Sequence, residues 1–420
     1  MKRFLTMLAL STLGLLASKA GGLMTNTNYH IAFDRMFARG TTFEIDGAYS
    51  NPAGLVWGHE GWQLSLNFQK PWQHRDIEAA VPALGVHHLY HGKASAPIVP
   101  ALFAAYKKDR WALSAMIGIV GSGGFVEYDE GVPMFTVPLA ARLASVGMAP
   151  GSYTIDASMK GKQYIYGGQV NFAYRITDHL SAAVGFRANY YDGYYRGHVV
   201  VAPTVNLQLD CDQKGWGFNP LVSIDYHVNS LTLSARYEFR AKLNIPNTVH
   251  ENSDPQGALA AFADGVKTRY DMPSLLVVAA GYEFTPRLRA AVEYHFFDDK
   301  HAKMANDRQD ELSHGTHEIL AGAEYDISGK WTVSLGGQRT DYGLSDNYQT
   351  HTSFACDSYS LGCGAAVHLT EQLRLNMSYF CTLYSDYTKE QTAYQGLPIG
   401  GTDTFSRTNH VIGVGIDYRF

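Results

Sequence analysis

Fourteen stretches of this chain alternate apolar and polar side chains with a period of two, and the connections between them alternate as well. Short turns are read at Lys107–Asp109, Thr177–Asp178, Val228–Ser230, Thr285–Pro286, Ser328–Gly329 and Thr370–Glu371. Between them fall long loops at Gln73–Ala96, Gly121–Lys160, Gly193–Lys214, Pro246–Met272, Asp298–His314, Tyr342–Ala355 and Asp386–Thr408. A soluble β-sandwich has no reason to gather every long connection at one end. A membrane barrel does, because its strands are antiparallel, its inner turns short and its outer loops long. The pattern therefore predicts an all-β fold: a transmembrane antiparallel β-barrel of fourteen strands, an even number as such barrels require.

Which face meets lipid is legible strand by strand. In the last stretch Ile412, Val414, Ile416, Tyr418 and Phe420 share one face, and Val411, Gly413, Gly415, Asp417 and Arg419 the other. Trp62, Leu64, Leu66 and Phe68 oppose Gln63, Ser65, Asn67 and Gln69 in the same way. So do Leu231, Leu233, Ala235, Tyr237 and Phe239 against Thr232, Ser234, Arg236, Glu238 and Arg240. An Arg on the lipid face at mid-membrane costs about 2–4 kcal/mol, so the charged face lines the interior. Arg187, Arg236, Arg289 and Arg374, with Glu238 and Glu293, are then lumen residues. They either pair with one another across strands or hold a plug by charge-assisted bonds.

The ends and the composition agree. Lys2 and Arg3, the apolar run Phe4–Ala17 and the small residues of Ser18-Lys19-Ala20 read as a secretory signal over residues 1–20, cut before Gly21. Beyond it no apolar run is long enough for a membrane helix. The mean hydropathy of −0.17 does not argue against a barrel, half of whose strand residues face water. Twenty-seven Tyr and 41 Gly suit aromatic girdles and strand bends. The net charge of −5 comes with no basic block of the kind that binds nucleic acid. Cys211, Cys356, Cys363 and Cys381 match no zinc spacing; either a bridge or four small apolar thiols is compatible with an exported chain. His87-His88-x-x-His91 lacks helical ligand spacing and reads as a solvated loop. No nucleophile elbow or phosphate loop is present, so no enzyme, metal or cofactor is predicted.

Residues 21–60 do not fit the strand pattern, and residues 61–420 do. The first segment either hangs below the membrane or folds back as a plug, and a barrel of this width leaks water unless filled. Gly21-Gly22, Phe37-Ala38-Arg39-Gly40 and the run Asp46-Gly47-Ala48-Tyr49-Ser50-Asn51-Pro52-Ala53-Gly54 resemble the N-terminal hatch of the FadL/TodX family. So do Tyr270-Asp271-Met272-Pro273, leading into Leu275–Phe284, Thr285-Pro286 and Leu288–Phe297, and the closing series from His317 to Phe420. That family comprises outer-membrane transporters of long-chain fatty acids and other hydrophobic compounds.

The resemblance implies a monomeric channel in the outer membrane of a Gram-negative bacterium. Its partners are a hydrophobic small molecule and membrane lipid, and its transport is passive, past a plug marked by Asp46, Asn51, Pro52, Ala53 and Gly54. It also implies a sideways exit at a kinked third strand, which here is Trp111–Val120 with Gly118 and Gly121 as the bend. Two loops carry unexpected apolar residues: Val132, Met134, Phe135, Val137, Leu139, Leu143 and Met148 in one, Leu259 and Phe262 in the other. Helices are predicted at Pro138–Val146 and Gln256–Val266. These residues either capture a ligand or pack together over the barrel mouth. A general porin for polar solutes and a structural or adhesive barrel are the alternative readings.

Overall fold

The computed structural model describes residues 29–96, 98–148, 152–203, 205–257 and 259–420. The predicted signal at 1–20 and the start of the proposed plug, including Gly21-Gly22, lie outside the described residues. Among the described residues eighteen strands form one sheet. They are β1 (Gly61–Val81), β2 (Val86–Ser95), β3 (Val99–Lys108), β4 (Trp111–Tyr128), β5 (Asp156–Arg175), β6 (Leu180–Val201), β7 (Val205–Val228), β8 (Leu231–Glu238) and β9 (Asn244–Asn252). After these come β10 (Lys267–Arg269), β11 (Leu275–Thr285), β12 (Leu288–Phe297), β13 (Thr316–Asp326), β14 (Trp331–Asp341), β15 (Ser358–His368), β16 (Leu373–Tyr384), β17 (Tyr387–Gln391) and β18 (Gly401–Arg419).

Fourteen of these make the wall: β1, β3 to β8, β11 to β16 and β18. The ring closes where β1 meets β18, in continuous antiparallel register from Gln63↔Arg419 to Ala80↔Thr402. All six predicted turns fall between wall strands as expected. No helix among the described residues is long and apolar enough to cross a membrane; the strands do the crossing.

Burial is inverted relative to a soluble domain. Trp62, Leu64, Leu66 and Phe68 are exposed, whereas Gln63, Ser65 and Asn67 are buried to within 3 %. Ile412, Val414, Ile416 and Tyr418 point outward, and Asp417 inward. Exposed Trp62, Tyr174, Tyr226, Phe284, Trp331 and Phe420 ring the barrel near the short turns. Trp72, Tyr166, Trp216, Tyr359 and Tyr379 ring it farther out, so both interfaces carry aromatic girdles.

Several predicted loops are in fact strand. A crossing strand needs about 9–11 residues, yet β1 runs for 21, β6 for 22 and β7 for 24. Thus Gln73–Ala96 is mostly the hairpin of β1 and β2, and Gly193–Lys214 the long tip of β6 and β7. Above the bilayer both faces meet water or loops, so the alternation fades although backbone pairing continues. The helix expected at Pro138–Val146 spans Pro133–Ser145, with Pro133 at its first turn where no N–H is required. The helix expected at Gln256–Val266 is reduced to one 3₁₀ turn, Ala260–Phe262. There the amides of Asn247 and Asn252 take the carbonyls of Leu259, Ala261, Phe262 and Ala263 that a helix would use.

Candidate functional site

The lumen is filled by residues 29–58, folded as the helix Ile31–Met36, the turn of helix Gly47–Ser50 and the 3₁₀ helix Pro52–Trp57. The helix Ile31–Met36 lies on a shelf of small residues. Gly322, Gly336 and Gly362 sit side by side in register across β13, β14 and β15. A Cβ on Gly322 or Gly336 would overlap the Met36 carbonyl oxygen, and one on Gly362 that of Asp34. Only glycine permits so close an approach of backbone to wall.

Charge fastens the plug above this shelf. Glu324 on β13 faces three arginines: Arg35, fully buried and in contact, Arg39 at 3.2 Å and Arg289 at 2.9 Å. Arg39 also grips Asp46 through Nε at 2.7 Å and Nη2 at 2.9 Å. Glu44 accepts from Arg39 at 2.8 Å and from Arg374 Nη2 at 2.7 Å. Burial opposes ionisation of Glu44, but Arg374, Arg39 and Arg35 outweigh it and hold the carboxyl well below its ordinary range. At the seam, His30 Nε2 lies 3.1 Å from Asp417 Oδ1 on β18 and 3.0 Å from Ser65 Oγ on β1.

The predicted plug motif is an anchor. Asn51 donates to Asp225 Oδ2 at 2.7 Å, and Trp57 Nε1 to Asp225 Oδ1 at 3.1 Å. Pro52 opens the 3₁₀ helix. Ala53 N donates to Ser223 Oγ at 3.0 Å, and Ala53 O accepts from Ser181 Oγ at 2.7 Å. Gly54 packs against Asn51 and the Thr42 carbonyl with no room for a side chain. Of the charged lumen residues, Arg187 and Glu238 pair with each other at 2.6 Å, while Arg236 reaches the Tyr49 carbonyl and Glu293 the Gly40 amide at 2.8 Å. The sequence reading singled out the arginines but gave no anchoring role to Asp225, Glu324, Glu44 or His30. Inward placement was the available signal for the two wall carboxylates; the plug residues offered none.

The wall is irregular along β4, beside residues 29–58. The β3–β4 register ends at Leu102↔Ile117, and β4 is next paired on that side by β2 from Ala94↔Val126. Among the described residues, Gly118 to Phe125 have no register partner there. On the other side β4 follows β5 through two register shifts, at Ile119/Gly121 and Ser122/Gly124. Gly118 faces inward, where a Cβ would stand 3.4 Å from Ala101 Cβ and 3.8 Å from the Tyr29 ring. The two predicted bend glycines thus flank the first shift.

At the outer mouth, Val132, Met134, Val137, Leu143, Leu259 and Phe262 are buried; Phe135, Leu139 and Met148 are half-buried. Val132, Met134, Leu259 and Phe262 share one apolar cluster. Phe135 and Leu259, from the two loops, meet at a small cleft of about 40 Å³ lined also by Met159, Tyr195, Leu207 and Leu209. Arg196 and His198 stand at its rim.

The four cysteines are free thiols, with Cys211 and Cys356 buried and Cys363 exposed on the outer wall. His87, His88 and His91 lie on β2, not in a loop, and contact separate carboxylates, Glu78, Glu130 and Asp76. Asp210, Asp212 and His250 are close enough together to share an ion, but Arg196 already bridges both aspartates, at 3.0 and 3.4 Å.

These features define an outer-membrane β-barrel with residues 29–58 of the chain folded inside it. A family model described as the outer membrane protein beta-barrel domain matches residues 238–420. The architecture as a whole is the one found in FadL-type channels. A FadL homologue of Pseudomonas aeruginosa is 14 % identical, with a TM-score of 0.69 over 94 % of this chain and 99 % of its own. The toluene transporter TodX of P. putida is 13 % identical, with a TM-score of 0.60 over 90 % and 95 %. The toluene transporter TbuX of Ralstonia pickettii is 16 % identical, with a TM-score of 0.54 over 98 % and 97 %. Identity this low establishes a shared fold. None of the curated protein sequences compared matches the chain.

Proposed function

We propose that this barrel, as a member of the FadL/TodX group, takes up hydrophobic small molecules passively across the outer membrane. The ligand enters through the apolar outer mouth, reaches the lumen above the plug, and leaves sideways between β3 and β4 after the plug shifts. The observation that carries this reading is the pairing of a filled lumen with a break in the wall. A polar-solute porin needs an open aqueous channel, whereas residues 29–58 are bonded to the inner wall along their length. A hydrophobic ligand needs no such channel, because a wall opening delivers it into the lipid. The fold is one that two toluene transporters and a FadL homologue also have.

The test is deletion of residues 23–50, read as ion conductance in planar bilayers alongside uptake of a hydrophobic tracer. A large rise in conductance supports the plug. Unchanged conductance favours the open porin and sinks the reading.

A further inference from the structure

We infer that Asp34 is a proton-controlled latch: the plug seats with this carboxyl neutral and loosens when its proton passes to water. The inference rests on the reading of residues 29–58 as a stopper that shifts during uptake.

Three carboxylates lie in that segment, and two are matched by arginine. Asp46 is held by Arg39, and Glu44 by Arg39 and Arg374. Asp34 differs. It sits on the helix Ile31–Met36, is only 2 % exposed, and has no ion pair among the described residues. Ser378 Oγ of β16 donates to its Oδ2 at 3.4 Å. A Cβ on Gly413 of β18 would stand 3.0 Å from the same oxygen, so the wall closes tightly over the carboxyl on that side.

The charged groups on the elements around it are turned to other partners. Next to it in the plug, Arg35 contacts Glu324, and His30 lies 3.1 Å from Asp417 of β18. On β13, Glu324 is taken by the arginines and Glu318 by His295 at 3.0 Å. On β16, Arg374 bonds Glu44 and Asp417. Beside the helix, β1 presents Ser65 and Asn67, β14 Ser334, Gly336 and Gln338, and β15 Ser360 and Gly362, all uncharged.

An ionised carboxylate here is uncompensated, so the neutral acid is the form that fits. Burial accordingly pushes the Asp34 carboxyl well above the ordinary carboxylate range, against an opposing pull from Ser378. A displaced plug returns the group to water, where an aspartate ionises at about pH 3.9. Between those two values the seated state carries one more proton than the displaced one. Seating is therefore strongest at acid pH and weakens as pH rises. The displaced-to-seated ratio grows by up to about tenfold per pH unit, until the seated carboxyl itself ionises. Glu44 stays charged throughout that upper window, so its own titration adds nothing there.

The test is the opening frequency of the full-length barrel in planar bilayers from about pH 5 to about pH 8, with folding checked by heat-dependent electrophoretic migration. Wild-type openings should become at least about tenfold more frequent across that range. Asp34→Asn keeps the shape of the neutral acid but cannot ionise, and should hold one low frequency throughout. Asp34→Ala, smaller than the native side chain, is the second variant and should be equally indifferent to pH. Wild-type openings that ignore pH, or a folded variant that follows the wild-type rise, would overturn the inference. If deletion of residues 23–50 raises conductance while wild-type openings ignore pH, the latch alone fails. If that deletion changes nothing, the plug reading fails with it.

Discussion

Replacing Glu324 by Gln tests whether charge, rather than shape alone, keeps the plug seated. Arg39 keeps Asp46 and Glu44 after the change, and Arg289 keeps Asp326. Arg35 does not have that reserve. Its side chain is fully buried, Glu324 is its one ion-pair partner among the described residues, and its Nε and Nη2 have no hydrogen-bond partners. Removing one member of a buried pair costs about 3–5 kcal/mol, because the other charge is left uncompensated. At roughly 1.4 kcal/mol per factor of ten, the population with a displaced plug rises at least about a hundredfold. Single-channel recording should show frequent long openings in Glu324→Gln that are rare in the wild type. The barrel should still migrate as a folded species, because the wall ladders are untouched. Adding Arg35→Met removes the stranded charge, and a buried pair replaced by apolar groups is often neutral. The double variant should therefore return toward wild-type quiet. Equal conductance in Glu324→Gln and wild type would refute the reasoning, as would a double variant noisier than the single one.

Three further outcomes follow from the geometry. Gly322→Val drives a side chain into the Met36 carbonyl, so conductance should rise, while Gly329→Val, at a turn with nothing within 4 Å, should be silent in the same recording. A disulfide between cysteines placed at Ala101 and Gly118, whose Cβ atoms would stand 3.4 Å apart, ties β3 to β4 at the edge of the wall break. Oxidised protein should lose tracer uptake and regain it on reduction; uptake indifferent to the redox state would remove the lateral exit. Because the Glu44 carboxyl is held below its ordinary range, its contribution to plug seating is complete above about pH 4.3 and is lost as pH falls further. Conductance should accordingly climb in that acid window in the wild type, and Glu44→Gln should flatten the climb.

The wall was legible because lipid enforces one chemical rule at every second residue. Leu231 to Arg240, read with no structure, places Tyr237 outward and Glu238 inward, and so it stands. Outside the bilayer that rule lapses. Tyr194, Arg196, His198 and Val200 continue β6 as strand, yet their mixed character reads as loop. The plug motif was found through its turn chemistry, Asn51-Pro52, but its partners were not. Nothing local in Ser223 or Asp225 announces that Ala53 and Asn51, 170 and 174 positions away, will bond there. The Gln256–Val266 helix failed for a similar reason, since the competing amides of Asn247 and Asn252 come from outside the periodic window.

His30 touches the first wall strand and the last one at a single point, Ser65 on one side and Asp417 on the other. Those two strands carry the free edges that a nascent cylinder must join, and bare edges invite pairing with the wrong neighbour. A residue clasping both makes the stopper a participant in sealing the cylinder, so maturation and occlusion become one event. Chains stripped of that clasp should reach their final form more slowly and exchange the amide hydrogens of Leu64 to Phe68 sooner than those of strands far from the join.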